Sequence, residues 1–271
     1  MLKNITIGQF FPGDSFLHRM DPRAKIMSTI IFMVAIFLAN SVLAYAVVAA
    51  FTLLAFRMSQ LPWRVIWTSI KPLWVIIVFT LLIHVFTTPG NVIWQYSFLS
   101  ISDEGVRMGS FMAARLVFLI MFSSLLTYTT SPIRLTDGIE YLLNPFRRIG
   151  VPAHELAMMM TIALRFIPTL LEETDRIMKA QEARGADFTT GSIIKRAKNM
   201  IPLLVPLFIS AFRRADELAI AMEARCYRGG ENRTRMKELS ITSYDYIGLG
   251  AVIIVTIVLL GLRLEGILYT W

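Results

Sequence analysis

The sequence predicts an all-α polytopic membrane protein with about five transmembrane helices and a long cytoplasmic segment of amphipathic helices. Of the 271 residues, 55% are hydrophobic and 17% are charged, whereas soluble domains carry about 25% charged residues. The apolar residues also form blocks close to the ~20 residues that a helix needs to cross a bilayer. Helices buried in a large soluble core are the alternative, and uncharged runs such as residues 247–262 argue against it.

Five apolar blocks are the candidate spans. The first two are short, are separated by Ala39-Asn40-Ser41 and predict a hairpin. The third can begin upstream, near Val65, if Pro72 is accommodated as a kink. Arg115 interrupts the fourth and is costly in lipid, so it should face protein or water. Just before this block, Gly105 and Gly109 have the spacing of a helix-packing motif. The blocks are residues 26–38, 42–56, 73–86, 111–128 and 246–262.

Basic residues in the short loops predict the orientation, because cytoplasmic loops are enriched in Lys and Arg. Residues 87–102 contain neither, whereas basic residues precede the first span and separate the second from the third. The N-terminus and residues 131–243 are therefore expected in the cytoplasm and the C-terminus outside. The net charge of +8 fits such loops and does not require nucleic-acid binding. The basic residues are Lys3, Arg19, Arg23, Lys25, Arg57, Arg64 and Lys71.

Two long amphipathic helices are predicted in the cytoplasmic segment. Apolar residues recur near the 3.6-residue period over residues 154–185 and 192–225, with charges on the opposite faces. Prolines in the first half of each helix predict bends there. The apolar faces look broader than one partner helix would cover, which leaves room for another protein. The chain is thus divided into a part with four spans, the cytoplasmic segment and a part with the last span, at residues 1–130, 131–243 and 244–271.

An internal repeat marks the ends of these two helices. Glu182-Ala183-Arg184-Gly185 recurs 41 residues later as Glu223-Ala224-Arg225-Cys226, and the same offset relates Asp175 to Asp216 and Ala180 to Ala221. A small residue before an arginine at a helix end lets a backbone enter a groove, while the planar guanidinium binds a carboxylate or carbonyls. Alternatively, both arginines only complement the helix dipole.

The sequence lacks the features of several other functions. It contains no Gly-x-x-x-x-Gly-Lys-Ser/Thr motif for binding ATP phosphates. A single cysteine and three scattered histidines, His18, His84 and His154, exclude an intramolecular disulfide and predict no metal or cofactor site. A membrane-embedded transferase would need acidic residues at the membrane edge. Asp137 and Glu140 are the nearby candidates, and they lack a second acidic cluster.

The repeat resembles the T component of the energy-coupling factor transporters, the membrane scaffold of a class of vitamin and metal-ion importers. That family ends two long cytoplasmic helices with Ala-Arg-Gly, here Ala183-Arg184-Gly185 and Ala224-Arg225-Cys226, with Cys226 in place of the usual glycine. The similarity covers nearly the whole chain. It includes Phe11-Pro12-Gly13-Asp14-Ser15-Phe16-Leu17-His18-Arg19-Met20-Asp21-Pro22-Arg23-Ala24-Lys25 and Tyr227-Arg228-Gly229-Gly230.

The resemblance implies a four-part complex in a bacterial or archaeal cell membrane. Its parts would be this scaffold, two cytoplasmic ABC-type ATPases and a small membrane protein that binds the substrate. The Ala-Arg-Gly/Cys residues would dock the ATPases, with Glu182 and Glu223 in support, and the two crossed helices would couple ATP hydrolysis to movement of the substrate-binding subunit. The scaffold itself would not be an enzyme. An ordinary ABC permease that lines its own substrate path is the alternative, although its usual single coupling loop does not match two Ala-Arg ends.

Overall fold

The computed structural model of the chain is almost entirely helical, as the sequence predicts. It describes residues 10–96, 99–188, 192–227, 229 and 239–268, so Lys3, Arg228 and Gly230 lie outside the described residues. The α-helices of the described part are α1 (Phe16–Arg19), α2 (Pro22–Leu38), α3 (Val42–Ser59), α4 (Trp63–Ile70), α5 (Trp74–Thr87), α6 (Asp103–Thr129), α7 (Pro132–Leu143), α8 (Ala153–Ala183), α9 (Ile193–Ala224) and α10 (Ser243–Leu268). Two strands, β1 (Val92–Tyr96) and β2 (Leu99–Ser102), precede α6.

Five helical segments are long and apolar enough to cross a membrane. Their number agrees with the prediction. The set differs from the prediction in one exchange, because α2 is absent and α8 is present. The first predicted span falls on α2, whose 17 residues reach about 26 Å, slightly less than the ~30 Å hydrocarbon core. Helix α8, predicted in the cytoplasmic segment, meets the criterion because its first 18 residues carry only two charges, Glu155 and Arg165. The segments are Val42–Ser59, Trp63–Thr87, Asp103–Thr129, Ala153–Ala183 and Ser243–Glu265.

The third span remains helical on both sides of Pro72. A 3-10 turn, Lys71–Leu73, joins α4 to α5, so the proline lies where the helix changes its winding. The loop after this span differs from the prediction. Strands β1 and β2 pair antiparallel, with Val92 opposite Ser102, and the run Val92-Ile93-Trp94-Gln95-Tyr96 is rich in the β-branched and aromatic residues that favour strands.

The chain divides into two compact units. The membrane unit comprises Gln9–Gly138 and Glu238–Trp271, and the insert unit contains Ile139–Lys237. In the membrane unit, α6 packs against α2, α3, α4 and α5, while α10 packs against α2 and α3. Phe32 and Leu259 are completely buried there, and the rings of Phe32 and Phe122 are 4.2 Å apart. Close side-chain packing of this kind holds membrane helices together, since lipid is as apolar as their surfaces.

The Gly105 and Gly109 spacing marks a close helix contact. A Cβ added at Gly105 would lie 2.8 Å from the carbonyl oxygen of His84 and 2.9 Å from that of Val85, on the neighbouring α5. Helix α6 also begins eight residues before the predicted span, because the hydroxyl of Ser102 accepts a hydrogen bond from the Gly105 N–H at 2.9 Å. The glycine spacing therefore serves packing of α6 against α5.

Arg115 faces protein, as its cost in lipid predicts. Its Nη2 donates to the carbonyl oxygen of Ala39 at 3.2 Å, and its guanidinium lies 5.4 Å from the ring centroid of Phe37. Ala39 is the C-terminal cap of α2, where carbonyls have no partner within the helix. The arginine thus stabilises the C-terminal end of α2.

The N-terminal motif is held to the beginning of α10. Asp21 caps α2 by accepting from the Arg23 N–H at 2.9 Å and forms an ion pair with the Arg23 guanidinium at 2.9 Å. The Asp21 N–H donates to Asp245 Oδ1 at 2.6 Å. Asp245 is 2% exposed, and this buried carboxylate joins the beginning of α2 to the beginning of α10.

Candidate functional site

Helix α8 ends in a two-bond turn formed by the first Glu-Ala-Arg motif. The last helical residue is Ala183, and Arg184 is the cap. The Gly185 N–H donates to the Glu182 carbonyl at 2.9 Å, and the Ala186 N–H donates to the Gln181 carbonyl at 3.0 Å. These two bonds define the Schellman motif, in which the residue after the cap has a left-handed backbone. Gly185 fulfils that requirement with a φ of 89°.

Helix α9 ends in the same turn, although cysteine replaces glycine. The Cys226 N–H donates to Glu223 at 2.9 Å, and the Tyr227 N–H donates to Met222 at 3.0 Å. Cys226 has a φ of 58°, which costs a residue with a Cβ about 1–2 kcal/mol. Cysteine in place of glycine therefore keeps the geometry of the turn but lowers the stability of the folded protein.

Both motifs present exposed arginines. Within the described residues, neither Arg184 nor Arg225 has a side-chain hydrogen bond or ion pair. A guanidinium offers five N–H donors in a planar fork. In both turns the arginine is preceded by an alanine, so a small residue lies next to it in the chain. The interpretation by the helix dipole alone stays open, since both arginines are at helix C-termini. The exposed residues are Glu182, Ala183, Arg184, Gly185, Glu223, Ala224, Arg225 and Cys226.

Glu173 connects the two helices near their middle. Its Oε2 accepts from Arg214 Nη2 at 2.7 Å, and its Oε1 accepts from the Ser210 hydroxyl at 2.6 Å. The hydrogen bond from Ser210, together with the hydrogen bond and charge of Arg214, holds the pKa of Glu173 below its usual value. Glu173 belongs to the charged second half of α8, after the apolar stretch, so an ionised carboxylate links the helices at neutral pH.

The two helices are antiparallel and related by an approximate two-fold axis near this contact. The Asn199 amide donates to the Asp187 carbonyl at 2.6 Å, and the Tyr227 hydroxyl donates to Met158 Sδ at 3.0 Å. Each helix end therefore lies beside the beginning of the other helix. Glu173 and Arg214 are 41 residues apart, the offset of the repeat, and each precedes the arginine of its own helix by 11 residues.

The arginines consequently lie at opposite ends of the pair. Eleven residues of α-helix span about 16 Å, so the two guanidinium-bearing turns are at most about 33 Å apart along the pair. The arrangement presents two copies of one small helix-end turn, at equal distances from a central contact. Arg184 and Arg225 are thus equivalent in position as well as in local backbone.

Known proteins resemble the chain over nearly its full length. The family model described as "Cobalt transport protein" matches residues 13–236. An energy-coupling factor transporter transmembrane protein of Acidaminococcus fermentans is 59% identical over 267 residues, which cover 98% of this chain and 99% of that protein. This chain belongs to the energy-coupling factor transporter transmembrane protein family. Proteins with the same description from Clostridium kluyveri and Bacillus subtilis are 56% and 47% identical, over 96% and 97% of this chain and 97% and 100% of their own length.

Membership of this family confirms the resemblance drawn from the motifs. The chain is a multi-pass membrane protein of a transporter family, and its relatives are described as transmembrane proteins of a transporter. The transferase interpretation loses its support accordingly. One of its two candidate acids, Glu140, is engaged in a contact of 3.0 Å with His154 Nδ1.

The two ends of the helix pair differ in one respect that sequence reasoning missed. Tyr227 follows the second turn directly, and its hydroxyl lies 3.4 Å from His154 Nε2 at the beginning of α8. The equivalent residue after the first turn is Ala186, which has no polar side chain. The sequence repeat could have indicated this difference between the two helix ends, because the offset of 41 residues aligns Ala186 with Tyr227.

Helix α9 also carries an exposed apolar surface. Phe208, Ile209 and Phe212 are 60%, 65% and 68% exposed. Exposed patches of large apolar residues mark protein or membrane contacts. This surface matches the expectation that the amphipathic faces exceed what the two helices cover in each other.

Proposed function

We propose that this member of the energy-coupling factor family is the scaffold through which two cytoplasmic ABC-type ATPases act on a separate substrate-binding membrane subunit. The transported substrate would be a vitamin or a metal ion bound by that subunit. The supporting observation is the pair of exposed arginines on matching helix-end turns, equally distant from a central contact. Two equivalent docking elements suit two related partners.

Each docking element combines close approach with charge recognition. Ala183 and Gly185 in the first, and Ala224 in the second, are small enough for the helix end to enter a groove. Arg184 and Arg225 then bind carboxylate or carbonyl oxygens of the partner in a planar, directional contact. Removing one partner of a buried, hydrogen-bonded charge pair typically costs about 2–5 kcal/mol of binding free energy. Both ATPases are therefore held mainly through one arginine each.

Coupling follows from the stiffness of the two arms. Between the Glu173–Arg214 contact and the helix ends, α8 and α9 contain no proline, whereas Pro168, Pro202 and Pro206 lie in the other halves of the helices. Kinks arise at prolines, so the proline-free arms transmit displacement and the other halves adapt. When ATP draws the ATPases together, the arms move with them, and the apolar surface on α9 passes the movement to the substrate-binding subunit.

The proposed arrangement requires residues 131–243 in the cytoplasm as a coupling domain. The absence of Lys and Arg from residues 87–102, and their presence in the neighbouring loops, supports this orientation. ATP would be hydrolysed by the partner subunits, and the substrate would be held by the third partner, so this chain would be a non-catalytic component.

Purification of the tagged chain from its own membranes tests this function. We expect two ATPase polypeptides and one small membrane protein to copurify, with ATP hydrolysis in the complex. An ordinary permease would bring ATPases without the small membrane protein and would transport after reconstitution with the ATPases alone. A membrane transferase would bring no ATPase, which would contradict the proposal.

A further inference from the structure

The membrane unit contains an open, polar cavity of about 780 Å³ between the N-terminal segment and the connection from α6 to α7. Its lining residues come from two stretches of the chain, residues 10–19 and residues 129–134. Both stretches belong to the same compact unit. The volume falls in the range of sites for small molecules, about 300–1,000 Å³, so the cavity can admit a whole polar group of a ligand.

Two arginines without a partner line this cavity. Arg19 is the last residue of α1, and Arg134 is the third residue of α7. Both side chains are exposed, and among the described residues neither guanidinium has a hydrogen bond or an ion pair. A guanidinium binds phosphate or carboxylate oxygens through paired, charge-assisted hydrogen bonds. Two such groups on one cavity therefore indicate an anionic ligand.

One wall of the cavity is held in place by buried hydrogen bonds. His18 lines the cavity and is 7% exposed. Its Nε2 donates to the Phe11 carbonyl oxygen at 2.9 Å, and its Nδ1 lies 2.6 Å from the Ser15 hydroxyl. The Phe11 N–H donates to the Tyr128 carbonyl at 2.9 Å, which ties the N-terminal segment to the end of α6. Because both ring nitrogens are occupied, His18 positions this wall and leaves the ligand contacts to the arginines.

A buried cation adds to the positive potential of the cavity. Lys25 is 6% exposed, and its Nζ donates to the Thr129 carbonyl oxygen at 2.9 Å and to the Thr130 hydroxyl at 3.2 Å. Thr129 itself lines the cavity. Among the described lining residues, the acidic group is Asp14, which is exposed. Three cations against one carboxylate leave the cavity positive, and such a field attracts anions.

The cavity lies at the level of the lipid headgroups. Thr129 is the last residue of α6, and α6 is long and apolar enough to cross a membrane. Phospholipid phosphates lie just beyond the hydrocarbon core, where such a helix ends. Phe10, Phe11 and Ile133, in or next to the two lining stretches, are 37%, 46% and 55% exposed. Exposed apolar residues beside basic ones are typical of surfaces that enter the boundary between headgroups and acyl chains, which favours a lipid over an acidic peptide as the ligand.

We propose that this cavity binds the phosphate headgroup of an anionic phospholipid. Arg19 and Arg134 donate to the phosphate oxygens, and Asp14 accepts from hydroxyl groups of the headgroup. The acyl chains lie along Phe10 and Phe11. Basic pockets at the ends of membrane helices bind lipid headgroups in this way. The site requires only that the end of α6 reaches the membrane surface, so it does not depend on the ATPase-docking proposal.

Native mass spectrometry of the full chain, purified in detergent and titrated with phosphatidylglycerol or phosphatidylcholine, tests the site. The unmodified chain should prefer phosphatidylglycerol, and Arg19→Gln and Arg134→Gln should each weaken its binding about tenfold, as expected for lost charged hydrogen bonds. Arg57→Gln removes the same charge from an exposed position of α3 outside the cavity and should leave the affinity unchanged. Equal weakening by all three substitutions, or equal affinities for the two lipids, would overturn the proposal.

Two further measurements distinguish a lipid from other carriers of negative charge. Phe10→Ser alters no charge and should weaken phosphatidylglycerol binding about fivefold through lost apolar contact. Glycerol 3-phosphate, which has no acyl chains, should compete poorly with the lipid. Displacement of the lipid by an equal concentration of glycerol 3-phosphate would overturn the proposal in favour of a soluble phosphate. Lipid binding that survives both arginine substitutions, together with loss of a copurifying protein, would identify the cavity as a protein interface instead.

Discussion

Glu173 and Arg214, which contact each other at 2.7 Å, are separated by 41 residues, the interval that also separates Arg184 from Arg225. In an antiparallel pair, equivalent positions of a repeat meet near the two-fold axis that relates its two copies. The internal repeat is therefore visible in space: the ion pair lies near the axis, and the arginines lie at the two ends of the helix pair.

Exchanging the charges of this pair should restore what either single change removes. Glu173→Arg and Arg214→Glu each place like charges together and should lower the thermal stability of the purified protein. The double exchange re-forms an opposite pair, and a double-mutant cycle should give a coupling of about 0.5–1 kcal/mol, as found for partly exposed pairs. The pair Arg213–Glu217, whose side chains are 80% and 65% exposed, is the matched control and should give a smaller coupling. Equal couplings would argue against a central role for Glu173.

Replacing Cys226 with glycine should stabilise the end of α9. A glycine adopts the positive φ of this position without steric cost, so Cys226→Gly should raise the unfolding free energy by about 1 kcal/mol. The reciprocal variant Gly185→Cys should lower it by a similar amount at the end of α8. Thermal unfolding in reducing buffer measures both. A stabilising effect of Gly185→Cys would contradict the assignment of the shared turn.

Packing of α5 against α6 should depend on Gly105. A methyl group there meets the carbonyl oxygens of His84 and Val85 at less than 3 Å, and backbone atoms yield only by moving a helix, so Gly105→Ala should destabilise by about 1–3 kcal/mol. Gly250, in α10, has open space around it, and Gly250→Ala should be neutral or stabilising because alanine favours helix. Unfolding temperatures in the same detergent compare the two variants. Similar temperatures would contradict the close contact.

Orientation in the membrane is open to cysteine labelling. In a Cys226→Ser background, a thiol at the exposed position Asn91 should react with an impermeant reagent added to intact cells. A thiol at Ile149, which is 79% exposed, should react only after the membrane is permeabilised. The reverse pattern would place the two Arg-bearing helix ends outside and would remove the basis for ATPase docking.

Much of the fold follows from periodicity and composition. The predicted stretches 154–185 and 192–225 agree closely with α8 and α9, because amphipathic periodicity and the turn residues determine where a long helix ends. Pairing of the short β1 and β2 escaped prediction, since a brief run of β-branched and aromatic residues is ambiguous beside an apolar span. The spans themselves were assigned by hydropathy, which separates α2 from α8 poorly when one is short and the other is half apolar.

The geometry of the site was less predictable than its residues. The repeat identified Arg184 and Arg225, but Cys226 stands at the second turn in place of the family's usual glycine, and a cysteine does not by itself indicate a left-handed backbone. The contact of Glu173 with Arg214 and the approach of Tyr227 to His154 join residues far apart in the chain. Asp245 escaped notice for the same reason, because its partner Asp21 N–H is 224 residues away.

The number of ATPase subunits bound per scaffold tests the central claim most directly. Native mass spectrometry of the purified complex should find two ATPases on the unmodified chain, one on Arg184→Ala, one on Arg225→Ala and none on the double variant, at concentrations where docking weakened at least about thirtyfold is lost. Arg213→Ala removes an exposed arginine of α9 outside both turns and should retain two. Two ATPases on the double variant, in a complex that still imports substrate, would contradict the docking role and leave the helix-dipole interpretation of both arginines.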